Sequence, residues 1–481
     1  MRVSADYDIA VIGSGFAGSL LAMIARRLGK SVILLERGRH PRFAIGESTT
    51  PLSNLLLEEL ATRYRLPDLL PLCKWGTWQA AHPELACGLK RGFTFYHHLP
   101  GREPRREDQL LVAASPRDEI ADTHWYRADL DAFFVRAAQE AGVEYRDLVQ
   151  LDSARELDDG VALAGVQVDI KAKFVVDASG PRGFLHRAFG LSELPLPGMP
   201  ATEALYTHFT GVEGTPTEGS PPYPVDDAAV HHIFEGGWIW VLRFANGIAS
   251  AGVAGSLHLA EGEPAWRRVI ERFPAIRAQF ASATAIRPFV HAPRLSFRSG
   301  AIAGRHWALL PSAAGFVDPL LSTGFPLTLL GVARLARILE EEGDLVTYAR
   351  QTEGELLATA SLIGGLYASM ANFPVFVSLT LLYFAAASFS ETARRLGKPH
   401  LASSFLLCDN PRFQFQKLDR ESPTFADDVR RFIEPFNIAG LGDPARRNWY
   451  PADAADMLRG ASKLGATDEE MRGVLDRCGF H

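Results

Sequence analysis

The sequence predicts an α/β fold with a discontinuous first domain, a sheet-based lobe inserted into that domain and a mainly helical carboxyl-terminal region. Three observations predict it. A buried strand, a glycine-rich turn, an apolar helix and a second strand follow one another over residues 7–36. Short apolar strands at residues 174–180 and 307–310 return to the same sheet after long interruptions. Beyond about residue 344 the apolar spacing is mostly helical.

The domain organisation follows from these patterns. Residues 1–345 are predicted to form the first domain, with inserted segments at about 75–125 and 185–298. In the second insertion, alternating apolar residues such as those at 238–244, joined by glycine turns, indicate strands. Residues 346–481 are predicted to be mainly helical.

The turn at residues 13–18 has the glycine spacing of a Rossmann-like dinucleotide-binding unit. Gly13 permits a tight turn, Gly15 lets the backbone approach a pyrophosphate, and Gly18 lets helix and strand pack closely. The pyrophosphate would lie at the amino end of the helix, and Glu36 is placed to accept hydrogen bonds from a ribose. The candidate cofactor residues of this unit are Gly13, Gly15, Phe16, Ala17, Gly18, Glu36 and Arg37. The alternative is a glycine-rich turn without a ligand.

Composition excludes several classes of protein. The chain has 481 residues, of which 47% are hydrophobic, and can bury a large core. Its net charge of −6 gives no general attraction to nucleic acid. The four cysteines have no CxxC or Cys/His spacing, so neither a disulfide framework nor a metal site is predicted.

Localisation and membrane contact are predicted from the apolar segments. A strand pattern starts within about ten residues and no basic and apolar leader precedes it, so we expect a cytoplasmic protein. Residues 373–389 are uncharged but short of the roughly 20 residues that a membrane span requires. They are predicted to form a buried or pocket-lining helix, the alternative being interfacial contact with a lipid.

Four separated segments carry a family resemblance: residues 13–18 with Glu36, residues 42–48, residues 177–180, and residues 313–324. Together they are similar to the flavin-dependent monooxygenase superfamily, which includes the flavin-dependent halogenases. The resemblance implies FAD as cofactor, with a helix amino end in the fourth segment directed toward the reduced flavin ring. It places the following further residues at FAD: Ser48, Arg127, Asp177, Ser179, Gly180, Ser312, Gly315, Thr323 and Gly324.

Two of these positions have alternatives. For Arg127, which precedes a predicted helix at about 127–141, a surface ion pair explains the residue almost equally well. Ser312 stands where related flavoproteins carry an acid, and a serine hydroxyl makes a weaker hydrogen bond to a ribityl group than a carboxylate does. The resemblance therefore implies modest FAD affinity.

Lys90 lies in a Lys-x-Gly-x-x-Phe pattern at residues 90–95. This pattern resembles that of the halogenases, in which the lysine holds hypohalous acid or is itself chlorinated. An ammonium can donate hydrogen bonds to a hypohalite oxygen, and a desolvated amine can act as a nucleophile. The alternative is a solvated lysine at a strand edge.

Trp238 and Trp240 resemble the halogenase Trp-x-Trp-x-Ile-Pro segment, which is thought to separate substrate from flavin. Here Leu242 and Arg243 replace Ile-Pro. This departure leaves open that substrate reaches the flavin directly, which would favour hydroxylation. A core strand with aromatic side chains is the other interpretation of the pair.

Thr323 and Gly324 match the family's halide site, and backbone N–H groups at a helix start suit a halide. Tryptophan-specific halogenases carry a glutamate at the position of Leu321. Without that carboxylate, a phenol or pyrrole is favoured over an indole, because such rings activate themselves.

The resemblance implies that reduced FAD and O2 convert chloride or bromide to hypohalous acid, which moves to Lys90 beside an electron-rich aromatic substrate. Because one dinucleotide motif is present, reduced flavin is predicted to come from a separate reductase. The substrate is expected to be a small molecule or an aromatic group bound to a carrier or peptide, and no nucleic acid partner or stable membrane span is expected.

Three other functions remain as alternatives. One is a flavin-dependent aromatic hydroxylase, a class that includes enzymes acting on a peptide-bound residue as in quinone-cofactor biogenesis. The others are a lipid or polyene reductase and a flavin-binding protein without turnover. Four histidines are predicted to be polar surface residues at strand edges, the alternative being bases in a pocket: His97, His98, His231 and His232.

Overall fold

The computed structural model describes residues 3–166, 168–217, 219–341 and 343–480. The strands are β1 Val3–Ile12, β2 Val32–Leu35, β3 Cys87–Lys90, β4 Gly92–His97, β5 Gln109–Ala113, β6 Asp122–Trp125, β7 Glu144–Arg146, β8 Leu151–Leu157, β9 Gly160–Gly165, β10 Val168–Asp177, β11 Glu193–Leu194, β12 Glu203–Thr210, β13 Ala229–Phe234, β14 Gly237–Arg243, β15 Ala249–Gly255, β16 Thr284–Ala285, β17 Val290–Ala292, β18 Phe297–Ser299, β19 Trp307–Leu309, β20 Gly315–Phe316 and β21 Trp449–Tyr450.

The helices alternate with these strands and then dominate the carboxyl-terminal region. They are α1 Phe16–Arg27, α2 Pro51–Arg63, α3 Trp75–Ala81, α4 Arg127–Glu140, α5 Phe184–Ala188, α6 Glu263–Ile270, α7 Pro274–Gln279, α8 Pro311–Ala314, α9 Gly324–Glu341, α10 Leu345–Ser369, α11 Phe373–Arg395, α12 Phe425–Ile433, α13 Ala454–Gly460 and α14 Asp468–Cys478. The predicted α/β class is confirmed.

The first sheet is the one that the glycine turn leaves. Its strand order is β7-β2-β1-β10-β9-β8, with β19 also paired to β10. β1 runs parallel to β2 and β10, and β19 runs parallel to β10. The strands predicted on both sides of the insertions therefore lie side by side. Because parallel strands end at the same edge, the turns after β1 and β10 meet there.

The second sheet collects the inserted segments. Its order is β16-β12-β15-β14-β13-β4-β5-β21, with β17 beside β12. β4 and β5 come from before α4, whereas β12 to β17 come from after it. β21 belongs to the carboxyl-terminal region and pairs with β5. One sheet is thus assembled from three separate stretches of chain.

α11 is the apolar helix that the sequence places at residues 373–389. Among the described residues it is the one helix long and apolar enough to cross a membrane, but 78% of its most apolar stretch is buried within the protein. It packs against α2, α10 and α12. α11 is therefore a core helix, as the favoured interpretation predicted.

The prediction that four histidines are polar strand-edge residues is wrong. His97, His98, His231 and His232 are 6%, 1%, 2% and 2% exposed. His97 ends β4, His98 directly follows it, and the other two lie on β13. The two strands are neighbours in the interior of the second sheet. The His97 ring stacks on Phe373 of α11 at 5.2 Å between ring centres. Interior strands bury polar residues as well as apolar ones, provided that hydrogen bonds or ring contacts receive them.

Candidate active site

The glycine turn after β1 is packed too tightly for any side chain at two positions. Gly13 has φ +100°, and a Cβ there would lie 2.6 Å from the Ala178 carbonyl oxygen. A Cβ on Gly18 would lie 2.0 Å from the Gly13 carbonyl oxygen. Both contacts are far inside van der Waals distance. The turn can keep this shape only with glycine at both places.

Glu36 is buried at the end of β2 and braces this turn. Its Oε2 accepts hydrogen bonds from the Ser14 N–H at 3.0 Å and the Ser14 hydroxyl at 2.9 Å, and its Oε1 accepts one from the Gly38 N–H at 2.9 Å. Burial raises the pKa of Glu36, but the Arg42 guanidinium and these donors outweigh burial and lower it. The carboxylate is therefore ionised and fixed in position before any ligand binds. Arg37, next to it, is exposed.

Arg127 forms a buried ion pair rather than a surface one. Its Nε and Nη2 donate to the two Asp131 carboxylate oxygens at 2.9 and 2.8 Å, and its Nη1 donates to the carbonyls of residues 45–46. A Cβ on Gly15 would lie 3.4 Å from the Arg127 Nη2 and 4.0 Å from an Arg42 nitrogen. Two guanidinium groups thus lie near the backbone of Gly15, together with an Asp131 carboxylate oxygen that would lie 3.9 Å from the same Cβ. The other Asp131 oxygen accepts a hydrogen bond from the Phe16 N–H at 3.2 Å. The surface alternative for Arg127 is excluded.

Asp177 ends β10 and holds the turn that contacts Gly13. Its carboxylate accepts from the Ser179 N–H at 2.9 Å, the Ser179 hydroxyl at 2.6 Å and the Leu185 N–H at 2.6 Å. The side chain is fully buried. Asp177 therefore supports the turn from inside, whereas Ser179 is exposed and Gly180 is half-buried.

The fourth segment leads into α9 through an unusual backbone. Leu321 and Ser322 have φ of +65° and +55°, a left-handed conformation that non-glycine residues seldom adopt. Gly324 then begins α9, is exposed, and would meet no atom within 4 Å if it carried a Cβ. Thr323 is buried beside it. The first N–H groups of α9 thus face open space, where an anion can bind.

Two other predicted residues of this segment lie at the short helix α8. Ser312 is half-buried at its start, and Gly315 follows its end. A Cβ on Gly315 would lie 2.7 Å from a Leu356 methyl group. Gly315 is therefore required by packing against α10. Ser312 remains accessible to a ligand.

Lys90 ends β3 and is fully buried. Its Nζ donates to the Thr49 carbonyl oxygen and lies 3.8 Å from the centre of the Phe93 ring. Burial lowers the pKa of Lys90, and the charge of Asp122 opposes this shift. The alternative of a solvated strand-edge lysine is excluded. An amine in such an environment loses its proton far more readily than one in water.

Asp122 and Asn54 are polar neighbours of Lys90 that no sequence motif indicated. Asp122 opposes Lys90 in the β3–β6 pair. The Asn54 amide donates to the Asp122 Oδ1 at 2.7 Å and to the Thr49 hydroxyl at 3.2 Å. Burial raises the pKa of Asp122, and the Lys90 charge opposes the shift. An aspartate within a short buried strand is the signal that could have revealed this group.

A cavity of about 150 Å³ adjoins this polar group. It lies between α2, β4, β5, α11 and the carboxyl-terminal residues, with Phe93 and Asp122 in its wall. Glu58, Lys74 and Arg395 line both this cavity and a surface groove, so the cavity adjoins the groove at these residues. Residues 441–453, around β21, help to close its other side. Lys90 therefore stands immediately behind the wall of an enclosed, mostly apolar chamber.

An aromatic row runs across the second sheet from Lys90 to Trp240. We use this name for Phe93, Phe95, His231, Trp238 and Trp240, whose successive ring centres are 6.4, 4.5, 5.3 and 5.6 Å apart, counting from Phe93 to Trp240. All five are buried. The two tryptophans are therefore core residues and also members of a continuous wall. The core-strand interpretation of the pair is confirmed, whereas the separation of substrate from flavin by the pair stays a prediction.

The aromatic row continues to the loop at residues 42–48. The Trp240 ring is 6.1 Å from Tyr206, which is 6.0 Å from Phe43. Arg243, which replaces the proline of the family pattern, turns away and donates to the Val212 carbonyl at 2.8 Å. The departure at Arg243 thus leaves the row intact.

Ser48, the last residue of that loop, and His124 of β6 lie between the rest of the loop and Lys90. They form a backbone bridge. Among the described residues, the Ser48 hydroxyl and both His124 ring nitrogens have no hydrogen-bond partner. Burial, with the Lys90 charge, lowers the pKa of His124 to about 3, so its ring is neutral. Buried polar atoms without partners mark a place where a small polar molecule can be received.

Trp238 is tied to the fourth segment by hydrogen bonds. Its Nε1 donates to the Tyr367 hydroxyl at 3.1 Å, and that hydroxyl donates to the Asp318 Oδ2 at 2.8 Å. Burial raises the pKa of Asp318 to about 7, against the effect of its hydrogen bonds. The position of the aromatic row is thus coupled to the loop before α9.

Asp318→Asn is expected to flatten the pH dependence of stability. Because the folded-state pKa of Asp318 is raised from 3.8 to about 7, its stabilising contribution is complete below the lower value and is lost as pH rises through the upper one. Between them the wild type should lose about 1.4 kcal/mol per pH unit more than the variant. Urea unfolding at several pH values measures both slopes. Asp152→Asn, at an exposed position of β8, is the control, and equal slopes for wild type and Asp318→Asn would contradict the assignment.

Comparisons with known proteins agree with this geometry. The family profile described as tryptophan halogenase matches residues 121–364. The tetracycline 7-halogenase of Kitasatospora aureofaciens is 30% identical over 411 residues, covering 79% of this chain and 73% of that protein. The chain belongs to the flavin-dependent halogenase family. Monodechloroaminopyrrolnitrin halogenase PrnC of Pseudomonas fluorescens is 30% identical over 370 residues, covering 70% of this chain and 63% of that protein.

The same fold occurs in a solved halogenase. The crystal structure of halogenase PltM in complex with phloroglucinol and FAD superimposes with a TM-score of 0.76 at 24% identity, covering 98% of this chain and 96% of that one. As a member of the flavin-dependent halogenases, this protein is an oxidoreductase whose cofactor is FAD. The backbone of Gly15, with the Arg42 and Arg127 guanidinium groups near it, is a suitable place for the pyrophosphate of this dinucleotide.

Proposed function

We propose that the protein halogenates an electron-rich phenol- or pyrrole-like ring, with Lys90 directing hypohalous acid to the substrate. The observation that carries this proposal is the burial of Lys90 behind the wall of the cavity. Such a lysine pays a large desolvation penalty for its charge, which a purely structural residue would avoid. A desolvated amine that holds or transfers an electrophilic halogen explains its presence there.

FAD would be held by the backbone of the 13–18 turn, by Arg127 and Arg42, and by the accessible residues Ser179, Gly180 and Ser312. When bound and reduced, it supplies the O2-dependent oxidation of halide. Thr323 and Gly324 at the start of α9 would bind the chloride or bromide, because the first N–H groups of a helix have no partner within the helix and suit an anion. The single dinucleotide-binding turn favours a separate reductase as the source of reduced flavin.

Residues of this chain would then guide the hypohalous acid. The Ser48 hydroxyl and the neutral His124 ring offer hydrogen bonds between the cofactor loop and Lys90. The aromatic row excludes water on the side of the second sheet. At Lys90 the ammonium donates a hydrogen bond to the hypohalite oxygen, which orients the halogen toward the cavity.

The substrate class follows from what is missing beside the halide loop. Leu321 occupies the position at which tryptophan-specific halogenases carry a glutamate, so this position offers no carboxylate to an indole. The relatives described above include a tetracycline 7-halogenase and a monodechloroaminopyrrolnitrin halogenase. Phenols and pyrroles need less activation, and we propose them here.

The direct test is halide-dependent turnover. The protein is reconstituted with FAD, chemically reduced, and mixed with oxygenated buffer, bromide or chloride, and resorcinol. We expect a product with the halogen isotope pattern, formed only when halide is present. A hydroxylated product formed regardless of halide would overturn the proposal and favour the aromatic hydroxylase. Reoxidation of flavin with no change in resorcinol would favour a binding protein without turnover.

A further inference from the structure

The cavity beside Lys90 contains polar atoms that the protein leaves unused. Asp122 Oδ2, Asn54 Oδ1 and the Ser115 hydroxyl all belong to its lining residues. Among the described residues, none of these three atoms has a hydrogen-bond partner. Their side chains are 5%, 4% and 4% exposed. Buried atoms of this kind are costly unless something else supplies the missing hydrogen bonds.

Two of the three atoms are acceptors at the Lys90 end of the cavity. The Asn54 amide group donates to Asp122 Oδ1, which holds the two side chains together and leaves Asp122 Oδ2 and Asn54 Oδ1 free. Asn54 Oδ1 can only accept a hydrogen bond, and Asp122 Oδ2 accepts one in the ionised form, which the Lys90 charge favours although burial raises the pKa of Asp122. The missing partner must therefore be a donor.

We propose that Asp122 is the residue that selects the substrate, by accepting a hydrogen bond from a phenolic hydroxyl or ring N–H bound in the cavity. This inference rests on the proposed halogenase function and names the substrate class more narrowly. Asp122 opposes Lys90 in the β3–β6 pair. A ring anchored at Asp122 is thereby presented to the halogen that Lys90 directs.

Asp122 provides a carboxylate that position 321, occupied by leucine, lacks. Leu321 cannot accept a hydrogen bond, whereas Asp122 lies in the wall of the cavity itself. A hydroxyl or N–H held by a carboxylate releases electron density into its ring, which increases attack at the ortho and para carbons.

The size of the cavity limits the ring. An apolar cavity of about 150 Å³ accepts a benzene-sized molecule, and this cavity has about that volume. Resorcinol is a suitable probe because it carries two hydroxyl donors on one ring. Its dimethyl ether, 1,3-dimethoxybenzene, keeps an electron-rich ring but has no donor, so the two compounds differ in the feature that Asp122 is inferred to read.

The experiment compares these two probes in wild type and Asp122→Ala. We expect the wild-type holoenzyme to prefer resorcinol over the ether more strongly than free hypochlorous acid does. In Asp122→Ala, kcat/KM for resorcinol should fall by at least about tenfold while that for the ether changes little. Calorimetric binding of resorcinol to the oxidised holoenzyme should weaken by a similar factor, which gives a readout independent of turnover.

Ser388→Ala is the matched control. Ser388 also lines the cavity, but its hydroxyl already donates to the Phe384 carbonyl oxygen at 2.7 Å. Its removal should leave the ratio of the two probes unchanged. Equal losses for resorcinol and the ether in Asp122→Ala, or an unchanged ratio, would overturn the inference and leave Asp122 as a partner of Lys90 only.

A folding defect does not obscure the result. If Asp122→Ala does not fold, Asp122→Asn is measured instead, because it keeps the shape of the side chain and removes its charge. Its preference for resorcinol over the ether should be weaker than that of wild type and stronger than that of free hypochlorous acid. An unchanged ratio in a folded Asp122→Asn would overturn the inference. Absence of halogenation of both probes in wild type would instead overturn the proposed function, and the inference with it.

Discussion

We expect Lys90→Met to lower the rate of halogenation by about 10³-fold while FAD binding is unchanged. Methionine replaces the unbranched stem of lysine at similar volume and without a charge. It therefore removes the amine that directs the halogen but does not open a hole behind the Phe93 ring. The rate is measured from halogenated resorcinol under saturating halide, and FAD binding from the flavin absorbance of the purified protein.

The stability of this variant separates function from structure. Removal of Lys90 leaves the buried Asp122 carboxyl without a positive neighbour, which destabilises the folded state wherever Asp122 is ionised. Because burial raises the pKa of Asp122, this loss of stability should be smaller at low pH. Lys171→Met removes an exposed lysine that pairs with Asp159 and serves as the control. Residual halogenation above a tenth of wild type in a folded Lys90→Met would contradict the role proposed for the amine.

The parts of the site that could be predicted are those set by local sterics. The roles of Gly13 and Gly18 depend on contacts within one strand–turn–helix unit, and the Cβ distances at both positions agree with the spacing argument. The Arg127–Asp131 pair could also be predicted, since the two residues are four apart on a predicted helix. Only the burial of that pair depended on the rest of the fold.

The polar group at Lys90 could not be predicted because its members are distant in sequence. Asn54 lies in the first turn of α2, and Asp122 begins β6, 68 residues later. Their contact is created by the pairing of β3 with β6 and the position of α2 above them. Neither residue belongs to a motif. Such an arrangement is visible only once the tertiary structure places the two elements together.

The histidines and β21 illustrate the same limit in the second sheet. Alternation along β4 and β13 predicts strands, but it does not say which strands lie at the edge. His98 and His232, 134 residues apart, meet at 2.9 Å because β4 and β13 are neighbours. Tyr450 of β21 joins that sheet from a loop-rich tail and lines the cavity. A two-residue strand carries too little pattern to predict.

Gly18→Ala is expected to abolish stable FAD binding, with an affinity loss of at least about 100-fold, or about 2.7 kcal/mol. The added Cβ would lie 2.0 Å from the Gly13 carbonyl oxygen and 3.0 Å from the Ala178 Cβ. The backbone of the turn cannot give way as a flexible side chain would, so α1 must move away from β1. That movement displaces the N–H groups that face the pyrophosphate.

The control for this variant is Gly354→Ala. Gly354 lies within α10, and a Cβ there would meet no atom within 4 Å. Because alanine favours a helix interior over glycine, stability should rise by about 1 kcal/mol and flavin content should be unchanged. Flavin absorbance per protein after reconstitution measures both variants. Since the same substitution is made in two helices, a loss confined to Gly18 identifies the close approach of turn and helix as its cause, whereas full flavin content in a folded Gly18→Ala would remove the 13–18 turn from the cofactor site.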